Sequence, residues 1–152
     1  MRTIRRTIIT AAATAGTLDL LSAFVFAGMK GVGPIAVLHT VASGPFGDAM
    51  RQGGVGAAGL GLLVHYTLMT IMVTVFVLAA TRLSFLTRQP VLWGLAYGFG
   101  LYLVMYWIVL PLRYPGVFPQ TGAWQVANAL FSHLICVGLP IGLITARGLR
   151  RR

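Results

Sequence analysis

Acidic side chains are almost missing from this chain. Its 152 residues hold two, Asp19 and Asp48, and charged residues of either sign make up 9%, against about 25% in an ordinary soluble domain. So little charge cannot solvate a globular surface, and lipid is the solvent the composition fits. Asp19 sits inside an apolar run and Asp48 in a connecting segment, so a two-carboxylate mechanism lacks its pair. Cysteine occurs once, at Cys136. An intramolecular disulfide, a CxxC site and a thiolate cluster are thereby excluded, and a lone thiol in an apolar run is expected to be inert. GxSxG, P-loop and strand-linked GxGxxG motifs are absent. No catalytic residue, cofactor or metal site is assigned, and the balance leans away from an enzyme.

What the chain has in abundance is apolar sequence, 57% of its residues. Four runs approach or exceed the ~20 residues that cross a bilayer: about 8–28, 56–80, 91–112 and 123–146. Backbone groups in hydrocarbon must pair within their own segment, so each run is expected to be helical. The expected fold is all-α: one integral membrane domain over 1–152, a four-transmembrane-helix bundle. The segment between the first two runs, residues 29–55, is not plainly polar. Pro34 can open a helix and Gly44-Pro45 can stop it. It is too short to cross, so an interfacial or re-entrant helix is expected there.

The net charge of +10 does not read as a nucleic-acid surface, because the basic residues flank apolar runs instead of forming a stripe. With both termini inside, nine lie on inner flanks: Arg2, Arg5, Arg6, Arg82, Arg88, Arg147, Arg150, Arg151 and Arg152. Three lie outside: Lys30, Arg51 and Arg113. That asymmetry predicts cytoplasmic termini, and the Arg-, Ala-, Gly- and Val-rich composition suggests a bacterial inner membrane. Val25-Phe26-Ala27 resembles a signal cleavage site, but the preceding apolar stretch is long and contains Asp19. Residues 1–27 are expected to stay as a helix.

Small residues recur at helical spacing. Gly94 and Gly98 open an i+4 ridge continued by Tyr102 and Tyr106; Gly61 lies on the face that leads to His65. Such faces let helix backbones approach closely. A rise of ~1.5 Å per residue puts Asp19, His65, Tyr102 and His133, one from each span, roughly 12–15 Å below the outer edge. They are expected to form a buried polar layer, because a charge at that depth is costly and turns inward. Three uses follow. The leading expectation is a non-enzymatic structural or assembly subunit, the layer fixing helix register. An alternative is a small transporter or proton-linked permeation component, and another a haem or metal carrier. For the last, two histidines on separate helices supply axial ligands, but no HxxxH pairing supports them. His39, in the connecting segment, reads as an interfacial residue, and the turn at 114–122 as an aromatic-rich interface loop. Expected partners are the lipid bilayer and a second copy or another membrane protein.

From His65 onward the chain resembles the YagU-like group of uncharacterised bacterial inner-membrane proteins. The resemblance covers about residues 65–145. It rests on His65 early in its span, LWGLAYG at 92–98, LPL at 110–112 and FSH at 131–133. It implies a small multi-span inner-membrane protein linked to acid stress. His65, Pro111 and His133 are the matched positions, and it supplies no catalytic site.

Overall fold

The computed structural model describes residues 2–150; Met1 and the basic residues Arg151 and Arg152 lie outside the described residues. The chain folds into helices α1 (Arg2–Gly28), α2 (Pro34–Phe46), α3 (Gly54–Arg82), α4 (Phe85–Arg88), α5 (Pro90–Arg113) and α6 (Ala123–Arg150). A 3-10 turn, Asp48–Gln52, joins α2 to α3. Helices α1, α3, α5 and α6 are long and apolar enough to cross a membrane, and the protein is a multi-pass membrane protein with an all-α bundle fold. At ~1.5 Å per residue each exceeds the ~30 Å hydrocarbon layer. Their ends therefore reach the headgroups, a few residues beyond the apolar runs. The start of α1 and the end of α6 lie at one end, the terminal face; α2 and the turns beside it lie at the other, the loop face.

Helices α1 and α6 pack against each other at the centre, with α3 against α1 and α5 against α6. The core joins Ala11, Ala12 and Ala15 of α1 to Met69, Val73 and Val77 of α3 and to Val137 and Ile141 of α6. Large apolar side chains such as Leu63, Ile71, Val75 and Phe99 are exposed, the surface that lipid, rather than water, accommodates.

Helices α5 and α6 pack closely through glycines. A Cβ added at Gly94 would meet the Gly138 carbonyl, one at Gly98 the His133 carbonyl, and one at Gly142 the Pro90 carbonyl. Two GxxxG segments, Gly94–Gly98 and Gly138–Gly142, thus face each other with backbone against backbone. Gly61 serves α2 instead, since a side chain there would run into the Leu38 carbonyl. Tyr97 ties α5 to α3 by donating from its hydroxyl to the Met72 carbonyl at 2.7 Å.

Two spans carry a wide π-helical turn, at Met105–Val109 in α5 and Phe131–Gly138 in α6. Each lies just before a proline, Pro111 or Pro140. A proline has no N–H and its ring clashes with the carbonyl four residues back. The wider turn shifts the preceding bonds to i−5: Leu110 N–H to the Met105 carbonyl, and Leu139 N–H to the Leu134 carbonyl. Prolines inside both spans are accommodated in the same way.

Helix α2 begins at Pro34, as its sequence predicts, but runs past Gly44-Pro45 to Phe46. Gly47, at φ +87°, ends it in a backbone conformation that side chains disfavour. Arg113 then clamps the open carbonyls. Its Nε donates to Gly44 at 2.9 Å and its Nη2 to Ser43 at 2.8 Å and to Asp48 Oδ1 at 3.0 Å. Tyr114 stacks under that guanidinium, 4.7 Å from Cζ to the ring centre, and its hydroxyl bonds Ser43 Oγ at 2.7 Å. Hydrogen bonding from Arg51, then the nearby charge of Arg113, holds the Asp48 carboxyl below the usual carboxylate range. His39 is built into this face. Its Nδ1 lies 3.2 Å from the Arg51 carbonyl and its Nε2 2.7 Å from that of Gly54. Carbonyls only accept, so both bonds form together when both ring nitrogens carry hydrogen.

Candidate polar site in the bundle

The i+4 ridge of α5 continues beyond its glycines into aromatic rings. Tyr102, buried, stacks on Tyr106 with centroids 5.3 Å apart. Both rings meet His133 of α6 edge to face, at 6.2 and 5.6 Å. Phe118, from the loop after α5, packs on Tyr106 at 5.6 Å and covers the cluster from the loop face. Tyr106 and His133 each sit in a π-helical turn. The proline-driven widening thus falls where the polar side chains meet.

His133 Nδ1 is 2.9 Å from the Ala129 carbonyl of its own helix. The ring must donate there, so in the neutral form Nε2 is the open acceptor. His65 reaches across to α1, its Nε2 2.8 Å from the Gly16 carbonyl; its open nitrogen is Nδ1 by the same reasoning. Gly16 permits that approach, because a side chain there would strike the Tyr66 ring. Beside it Tyr66 Oη meets Thr17 Oγ1 at 2.7 Å.

Asp19 stands one turn along α1 from Gly16, whose carbonyl meets His65, and one turn before Ser22, which bonds Ser132 next to His133. Among the described residues no protein group hydrogen-bonds its carboxyl. The structure therefore brings Asp19, Tyr102 and His133 into one neighbourhood with Tyr106 added. His65 stands at its α3 edge, bonded to backbone rather than to Asp19. Among the described residues no three His, Cys, Asp or Glu side chains converge as a metal site would require.

Sequence reasoning passed over three contributors. Ser22 and Ser132 join α1 to α6 through a buried 2.6 Å hydroxyl bond. Neither ionises, so a search for charges in the membrane does not find them, although each is one turn or less from Asp19 or His133. Tyr106 was on the ridge but not in the layer; its signal was the regular spacing from Gly94. Cys136 is buried in α6. Compared with known proteins, the chain matches no family model, no curated protein and no solved structure.

Proposed function

We propose that this is a non-enzymatic protein of a bacterial inner membrane, with both termini cytoplasmic, that acts as a small proton-linked transport component. The observation that carries the reading is the unfinished bonding of the polar layer. A cluster kept only to fix helix register is expected to close its hydrogen bonds, since unpaired polar groups are costly where they are shielded from water. Asp19, His65 and His133 are half-buried. Here the carboxyl of Asp19 has no protein hydrogen bond among the described residues, while His65 and His133 bond through one nitrogen each. A carboxyl in the same layer as two imidazoles with open nitrogens is equipped to take up and hand on a proton. The resemblance of residues 65–145 to YagU-like proteins points to the same class of membrane.

A structural or assembly role has its own support in the α5–α6 glycine seam and the Ser22–Ser132 bond, both of which join helices. Reconstitution separates the two. Liposomes carrying the protein and a trapped pH dye should pass protons down an imposed gradient, and Asp19→Asn should abolish the flux while the protein still inserts. Flux equal to that of empty liposomes would leave the structural role. Orientation is tested with reporters at Arg152 and near Gly116. Activity at the C-terminus only for a cytoplasmic reporter supports it, and the reverse pattern rejects it.

A further inference from the structure

The terminal face carries a second built feature, independent of the polar layer. The chain's only two acids are elsewhere, Asp48 on the loop face and Asp19 within the membrane. Among the described residues, no Asp or Glu side chain stands beside the arginines of the terminal face. Arg150 turns its guanidinium onto the Thr87 carbonyl, whereas Arg2, Arg6 and Arg147 line an open cleft of about 530 Å³ between the start of α1 and the end of α6. Thr3 and Thr7 furnish its other polar wall. Its floor is a close approach of the two helices at Gly148, where any side chain would strike Thr7. Arg2 also borders a largely apolar groove of about 670 Å³ that runs down α1 past Ile4 and Ile8 towards Leu78 of α3.

We propose that this cleft binds the phosphate headgroup of an anionic phospholipid, one acyl chain lying in the adjoining groove. Three arginines from two helices line the cleft and supply always-charged donors suited to phosphate oxygens. The cleft lies where the helices leave the hydrocarbon layer, at the depth of lipid phosphates. The apolar groove sharing Arg2 favours a lipid over a free anion, because a free phosphate has nothing to place there. Bound, the lipid bridges α1 and α6 where their arginines otherwise repel.

The test is native mass spectrometry of the delipidated full chain, titrated with phosphatidylglycerol, phosphatidylcholine or inorganic phosphate. One phosphatidylglycerol should bind well ahead of phosphatidylcholine, and excess inorganic phosphate should not displace it. A surface cation contributes about fivefold to anionic-lipid affinity, so Arg6→Gln with Arg147→Gln should weaken binding about 25-fold. Arg82→Gln removes a charge at the same face but outside the cleft, and should change binding less than twofold. These exposed arginines do not support the core; the single variants, about fivefold each, serve if the double variant fails to fold. Equal loss in Arg82→Gln, equal binding of phosphatidylcholine, or displacement by inorganic phosphate would each overturn the proposal.

Discussion

Replacing Gly98 by alanine isolates one backbone contact of the α5–α6 seam. The added Cβ would lie 3.0 Å from both the His133 carbonyl carbon and the Leu134 Cα, and closer still to the His133 oxygen. Carbon atoms pack best at about 3.5–4.0 Å, so α5 and α6 must separate by some tenths of an ångström. Both obstacles are backbone and cannot swing aside. Overpacking of this kind costs about 1–3 kcal/mol, while alanine returns about 1 kcal/mol of helix propensity. The two effects are separated by Gly100→Ala, two residues along the same helix, where an added Cβ meets nothing within 4 Å. Subtracting one variant from the other cancels the propensity term. Gly98→Ala should therefore be less stable than Gly100→Ala by about 1–3 kcal/mol. Equilibrium unfolding in mixed micelles, titrated with a denaturing detergent and followed by circular dichroism, measures that difference. Equal midpoints for the two variants would refute the backbone-contact seam.

Further outcomes follow for the loop face. Arg113→Gln should release the end of α2, at a cost on the order of 1.5–3 kcal/mol for the lost charged hydrogen bonds, seen as faster amide exchange over residues 43–52. Because the folded Asp48 carboxyl is held below its ordinary value, its ion pairs stabilise the fold fully above pH about 4 and lose that contribution as pH falls lower. Exchange in the same segment should rise below that pH, and Asp48→Asn should flatten the change. Tyr97→Phe removes one interhelical hydrogen bond and should cost about 0.6 kcal/mol by the same unfolding assay.

The spans were legible because lipid imposes a simple rule: long apolar runs must be helices that satisfy their own backbone. Pro34 was equally plain as the start of α2, whereas its end was not. Gly44-Pro45 reads as a stop, but the helix ends where Gly47 can take a positive φ and Arg113 can cover the carbonyls. Arg113 is some 70 residues from its partners, and in sequence it counts only as one outside charge. The GxxxG at Gly94 was visible without its counterpart, although Gly138–Gly142 repeats the spacing in the last span. Depth arithmetic puts Asp19, His65, Tyr102 and His133 in one layer because straight helices share one rise. It says nothing of rotation about each axis, which is why His65 meets the Gly16 carbonyl instead of Asp19. The π-helical turns have a sequence cause in Pro111 and Pro140, yet their effect on the direction of Tyr106 and His133 needs coordinates.

The proposed proton-binding role of the polar layer is tested most directly by infrared difference spectroscopy of the protein in lipid while the bulk pH is stepped. A carboxylic-acid carbonyl band should appear and vanish reversibly, disappear in Asp19→Asn, and shift in His133→Leu, which removes the imidazole beside the Ser22–Ser132 contact. A spectrum with no carboxyl band dependent on Asp19 at any pH the folded protein survives would contradict the account.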